Sequence, residues 1–144
     1  MAEKSPRRTL FLCTHNSARS QMAEGLLRHL AGDRFEVYSA GTEATHVRPQ
    51  AIAVMGEIGV DISGQESKTL ERYLGEPFDY VITVCDDVNE ACPVFPGAKA
   101  RLHWSFEDPS CATGSEEERL KVFRKVRDEI RTRIESELVP KDRG

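Results

Sequence analysis

No run of apolar residues in the sequence approaches the ~18 needed for a transmembrane helix, so a membrane span is not expected. Excess positive charge is missing too. With 20 Lys and Arg against 24 Asp and Glu, the net charge of −4 argues against a broad electrostatic grip on nucleic acid or on an acidic membrane surface. Any anion this chain binds must therefore be met locally. The four cysteines (Cys13, Cys85, Cys92, Cys111) contain no close Cys-x2-Cys pair, so a zinc site built from Cys13, Cys85, Cys92 and His15 lacks its usual signature and no metal is expected. The opening stretch MAEKSPRR has no signal-peptide pattern. The default reading is a soluble cytoplasmic protein, in which cysteines are reactive or metal-binding rather than structural disulfides. Internal repeats, low-complexity tracts and linkers are lacking as well. The 144 residues, 39% hydrophobic, read as one domain spanning 1–144, long enough to bury a core.

What is present alternates between strand and helix signals. Thr9 to Cys13 is a short apolar run without polar alternation, as expected of a strand buried on both faces. A polar turn follows, and then Met22, Ala23, Leu26, Leu27 and Leu30 recur at helical spacing, with Gly32 placed to end the helix as a left-handed cap. Phe35 to Ala40 gives a second strand closed by Gly41. Pro49 opens a helix whose Ile52, Met55 and Ile58 share a face. Ser67 to Leu74 has the makings of a short helix. Tyr80 to Cys85 is the strongest strand signal, β-branched and aromatic, and Lys99 to Trp104 is a looser fourth strand. The last helix runs from about Ser115 to Leu138. It opens on a Ser115/Glu118 capping box and carries an apolar stripe of Leu120, Phe123, Val126, Ile130 and Ile134.

This alternation implies an α/β fold: a three-layer, flavodoxin-like arrangement of four parallel strands with helices on both faces and right-handed crossovers. All strand-to-helix loops then emerge at one edge, where such folds bind ligands. Cys13, Cys85, Cys92 and Asp108 should gather there.

The most telling segment is CTHNSARS, Cys13 to Ser20, between the first strand and its helix. A helix N-terminus carries about half a positive charge and unpaired N–H groups, so it favours an anion. Small residues such as Thr14, Ser17 and Ala18 allow the loop to curl into an anion nest. The same surroundings stabilise a thiolate: a free cysteine titrates near ~8.5, and values of ~3.5 to 7.5 occur beside cations and helix N-termini. Cys13 is thus the candidate nucleophile. Arg19 adds a planar fork for two oxygens of a tetrahedral oxyanion, and Asn16 and Ser20 are placed to brace the loop or the sulfur.

The chain resembles the low-molecular-weight protein tyrosine phosphatases in its Cys-x5-Arg-Ser loop, and more closely the thioredoxin-coupled arsenate reductases built on the same fold. The likeness rests on FLCTHNSARSQMAEG, VYSAG, DYVITVCDDVNEACPVFPG and HWSFEDPS, in order from Phe11 to Ser110. It implies an oxyanion cradle of Thr14, His15, Asn16, Ser17, Ala18, Arg19 and Ser20, with Asp108 of the Asp-Pro pair as general acid. It also implies a relay in which Cys13 attacks arsenate, Cys85 attacks Cys13, and Cys92 then attacks Cys85. The partners so implied are arsenate, with phosphate or sulfate as analogues, and thioredoxin or glutaredoxin as reductant; no cofactor is called for. Related reductases bind potassium near Asn16, Ser39 and an acid where Lys68 stands here, so no potassium dependence is expected. A ladder from Cys85 to Cys92 held as a regular helix would keep the two thiols about 10 Å apart, too far for a disulfide, so CDDVNEAC is expected to rearrange between redox states. Two alternatives stay open: a tyrosine phosphatase, although DPSC lacks aromatics to grip phosphotyrosine, and a noncatalytic oxyanion-binding redox sensor.

Overall fold

The structure is a computed structural model and describes residues 6–86 and 93–140. Four strands, β1 (Arg7–Cys13), β2 (Phe35–Gly41), β3 (Phe78–Thr83) and β4 (Ala98–His103), form one parallel sheet in the order β2-β1-β3-β4. Helices α1 (Arg19–Ala31), α2 (Pro49–Glu57) and α3 (Glu116–Glu137) join them, with short 3-10 helices at Leu70–Tyr73 and Pro109–Cys111. The α/β reading with four parallel strands therefore holds. Register aligns the strand ends: Cys13 pairs with Gly41, Leu12 with Thr83, and Thr83 with His103. The carboxyl ends of all four strands thus reach the same edge.

Alternation along β1 divides the core. Phe11 and Cys13 face the side where α1, α2 and α3 pack, while Leu10 and Leu12 face a second cluster with Tyr73, Phe78, Val81 and Phe95. The cover on that second face includes the 3-10 turn Leu70–Tyr73, a shorter element than the segment 67–74 suggested. On α3, Phe123, Val126, Ile130 and Ile134 are fully buried and Leu120 only partly, each buried side chain contributing about 1.5–3 kcal/mol. The capping box is present as expected, with Ser115 accepting from the Glu118 N–H and the Glu118 carboxylate accepting from the Ser115 N–H. On α2 the buried positions are Ala51, Val54 and Met55, with Ile52 and Ile58 at the margin. Arg127 ties the two helices together, donating to Val54 O at 2.8 Å and Glu57 Oε1 at 2.9 Å.

Two boundaries differ from the sequence reading. Gly32 does not take the left-handed conformation: its φ of −63° is right-handed, and the chain tightens through an Arg34 N–H to Ala31 O bond before entering β2. Cys85 is not part of β3, which ends at Thr83. The last rungs are Val84 N–H to Leu12 O and Trp104 N–H to Thr83 O, after which β1 and β4 have themselves ended. The sulfur of Cys85 is therefore placed by a loop rather than by a pleat.

Candidate active site

The loop from Thr14 to Ala18 connects β1 to α1 and is held from outside. Its carbonyls accept from Glu43 N–H (Thr14 O, 3.0 Å), Ser67 Oγ (His15 O, 3.2 Å) and Arg48 N–H (Ser17 O, 2.9 Å). Because a trans peptide points N–H and C=O oppositely, the following amides of His15, Asn16 and Ala18 turn away from those clamps. Asn16 takes φ +49°, which asparagine tolerates better than most side chains. Ala18 at the N-cap brings no side-chain acceptor, and the first turn of α1 carries no acidic residue. The positive end of the helix thus faces the loop uncompensated. Gly41, at the end of β2, is required for space: a Cβ there would lie 2.7 Å from Thr14 O and 2.8 Å from Asn16 N.

Cys13 is a free thiol, 2% exposed, with its Sγ 2.8 Å from Ser20 Oγ. The neighbours of this pair are ordered by Asn16. The Lys68 main-chain N–H can only donate, and it meets Asn16 Oδ1 at 2.8 Å, with Gln21 Nε2 on the same oxygen at 2.9 Å. Asn16 Nδ2 must then be the group facing Ser20 Oγ (2.8 Å) and Ser39 Oγ (3.0 Å), and it donates to both. Each hydroxyl keeps its own proton for another acceptor. Ser39 gives its proton to Glu24 Oε1 at 2.5 Å, and Ser20 has Cys13 Sγ in reach. Asn16 thus holds Ser20 Oγ in place, and that hydroxyl in turn meets the sulfur of Cys13.

Arg19, 2% exposed, spans to the loop after β4: Nη1 donates to Phe106 O at 3.2 Å and Nη2 lies 3.6 Å from Asp108 Oδ2. Asp108 is fixed by the Ser110 N–H on Oδ1 at 2.9 Å, and the Cys111 thiol donates to Oδ2 at 3.7 Å. Trp104 and Phe106 pack this loop down, ring centroids 6.5 Å apart, with Trp104 also against Phe11. Cys85 is disulfide-bonded, and its Sγ lies 3.9 Å from Leu12 O, one residue before Cys13. Cys13, Arg19, Cys85 and Asp108 thus stand at the one sheet edge. Cys92 and residues 87–92 of the CDDVNEAC segment expected to rearrange lie outside the described residues.

Several participants were not evident in the sequence. Gln21, Glu24 and the Phe106 carbonyl enter only through tertiary contacts. Two histidines at this edge have polar neighbours: His15 Nε2 lies 3.7 Å from Glu43 Oε2, and His103 Nδ1 lies 2.7 Å from Thr83 Oγ1. Among the described residues no group of three His, Cys, Asp or Glu side chains is arranged to hold a metal ion.

A thiol at a helix mouth, followed six positions on by a buried arginine and set at the carboxyl edge of a parallel sheet, places the chain among cysteine-dependent proteins that handle oxyanions. Residues 8–140 match the low molecular weight phosphotyrosine protein phosphatase family, and the chain belongs to it. An arsenate reductase of Halalkalibacterium halodurans is 51% identical over 126 residues, covering 88% of this chain and 91% of that protein. A solved arsenate reductase in the phosphate binding state is similar at TM-score 0.77 and 37% identity, covering 90% of this chain and 95% of that one. A thioredoxin-dependent arsenate reductase from Corynebacterium glutamicum is similar at TM-score 0.62 and 29% identity, covering 94% of this chain and 63% of that one.

Proposed function

We propose that this chain reduces arsenate to arsenite in the cytoplasm, using Cys13, Cys85 and Cys92 in turn and a dithiol protein of the thioredoxin class as electron donor. The observation that carries this over phosphate hydrolysis is a disulfide-bonded Cys85 set against the strand that ends in Cys13. A hydrolase needs one thiol and an acid, whereas taking arsenic from +5 to +3 needs two electrons, which two thiols supply on becoming a disulfide.

The loop amides and the Arg19 fork seat the oxyanion. Cys13 Sγ, as thiolate, attacks arsenic; an S–As bond forms, and one oxygen leaves as water with a proton delivered through Asp108, a contribution of about 10² to 10⁴ in rate for a well-placed acid. Cys85, as thiolate, then attacks Cys13 Sγ. The S–S bond forms, the S–As bond breaks, and its electron pair stays on arsenic, which departs as arsenite. Cys92 attacks Cys85 and frees Cys13 as thiolate, leaving a Cys85–Cys92 disulfide for the external dithiol to reduce. Exchange of this kind needs a reducing compartment, which supports the cytoplasm. No helix among the described residues is long and apolar enough to cross a membrane.

The test is arsenate-dependent NADPH consumption with thioredoxin and its reductase, joined to mass spectrometry of a Cys92→Ser variant after arsenate exposure. The expected trapped species is a Cys13–Cys85 disulfide. Arsenylated Cys13 beside a free Cys85 breaks the proposed order, and aryl-phosphate hydrolysis without thiol-dependent turnover of arsenate favours the phosphatase reading.

A further inference from the structure

Two arginines stand beside the nucleophile loop, and only one of them has a task. Arg19 meets Phe106 O and Asp108, whereas Arg48 Nε is buried and finds no hydrogen-bond partner among the described residues. A buried N–H without an acceptor is costly and calls for a water or a ligand to complete it. The carboxylates near it are engaged elsewhere: Glu43 with His15, Glu116 with Gln50, and Asp108 with Arg19. The first turn of α2 carries no acid either. The root of the side chain is fixed against the site. Arg48 N–H donates to Ser17 O at 2.9 Å, and Arg48 O accepts from Ile52 N–H at 3.1 Å, as befits the N-cap of α2. Ser17 is part of the expected oxyanion cradle, two positions before Arg19. The loop that carries Arg48 leaves the carboxyl end of β2, and the last residue of that strand, Gly41, pairs with Cys13.

We infer that Arg48 is a second arginine of the anion site, whose guanidinium binds the tetrahedral oxyanion seated in the Cys13–Ser20 loop and sets how tightly it is held. The inference rests on the anion-binding reading of that loop. An arginine in open solvent needs no protein partner, because water fills its donors. Arg48 is half-buried, and its Nε has given up that water without receiving an acceptor. A bound oxyanion brings what is missing, several acceptor oxygens and a negative charge, both matched by a planar fork. The two arginines then divide the work. Arg19 is 2% exposed and tied to the acid loop, so its place is set before the anion arrives. Arg48 makes no hydrogen bond to Cys13 or Asp108 among the described residues, so it holds the anion alike before and during the reaction. Such uniform binding shows in KM and leaves kcat alone.

The test is protection of Cys13 by sulfate against iodoacetamide in the reduced full-length chain, resolved by peptide mass spectrometry. Cys111, an exposed thiol outside the loop, serves as the internal control. In Arg48→Gln the sulfate concentration for half protection should rise about five- to tenfold, the effect of losing a hydrogen bond to a charged group at a partly solvated position. Arg48→Lys keeps the charge and loses the fork, so its half-protection point should rise at least about twofold and stay below that of Arg48→Gln. Arg34→Gln removes a charge at the amino end of β2, where Arg34 donates to Val139 O, and should leave protection unchanged. The Arg48 N–H to Ser17 O bond is main-chain and survives in every variant; should Arg48→Gln still fail to fold, Arg48→Lys alone decides. In arsenate turnover, KM should rise in Arg48→Gln by the same factor as the half-protection point, with kcat within about twofold of the parent. Parent-like protection in either Arg48 variant, a loss that Arg34→Gln reproduces, or a fall in kcat at unchanged KM overturns the inference. Sulfate is not reduced, so the protection assay stands or falls separately from arsenate reduction.

Discussion

Gly41→Ala tests the site with a single methyl group that would press only on main-chain atoms of the loop. Gly41 is not among the glycines with positive φ, so alanine meets no conformational penalty there and the effect is steric. The added Cβ would stand 2.7 Å from Thr14 O, 2.8 Å from Asn16 N and 3.0 Å from Cys13 O. All three are main-chain atoms, so no side chain can swing aside. Optimal contact of such atoms is near 3.5 Å, so either the strand end or the Cys13–Asn16 loop must move by about 0.5–1 Å. The strand is pinned by its full ladder to β1 and by the Gly41 N–H to Lys68 O bond. The loop is the softer partner and takes most of the shift. Overpacking of this kind costs about 1–3 kcal/mol in stability. A displacement near 1 Å in a catalytic constellation costs about 10²-fold in rate. The assays are urea unfolding and kcat/KM for arsenate-dependent turnover, with protection of Cys13 from alkylation by phosphate as a measure of anion seating. The expected pattern is a protein still folded at 25 °C, with phosphate protection weakened and kcat/KM down by about two orders of magnitude. Turnover and protection within twofold of the parent would refute the claim that Gly41 is what lets the loop sit against the sheet.

Arg19→Lys keeps the charge but loses the two-pronged fork that reaches both Phe106 O and Asp108. Anion protection of Cys13 should weaken and kcat/KM should fall by about 10²-fold, with the melting temperature a check that the fold survives. For Glu57, hydrogen bonds from Arg124, aided by Arg127, hold the carboxyl below its ordinary value. A group depressed on folding adds stability that is present above its unfolded value and drains away as pH falls through the folded one. Urea midpoints measured from pH 7 down to pH 3 should therefore decline less steeply in Glu57→Gln than in the parent at the acid end; parallel curves would mean that the α2–α3 ion pairs are mere solvent contacts.

Local signals carried a large part of this molecule. The 3.6-residue stripe and capping box of α3 are written in neighbouring residues, because helix hydrogen bonds and caps close within four positions. The same holds for Cys13 to Ser20: the candidate thiol, the loop and the arginine lie within a few positions of one another. Legibility failed where an outcome depends on distant partners. β3 stops at Thr83 because β1 and β4 run out beside it, although Val84 and Cys85 continue the β-branched and apolar pattern. Gly32 was read as a left-handed cap from its identity alone, whereas the turn into β2 fixed its conformation.

The order of residues thus determined an alternating α/β chain with a thiol and a guanidinium at the mouth of its first helix, since propensity, periodicity and short spacing act over a few positions. Only folding in three dimensions decided that the Ser20 hydroxyl meets that thiol, that Asp108 reaches Arg19, and that Glu24 and Lys68 lie buried together behind Asn16. Those contacts bridge up to 89 positions of chain, from Arg19 to Asp108. They form because parallel strands bring all their ends to one edge, and no local pattern encodes which side chains meet there.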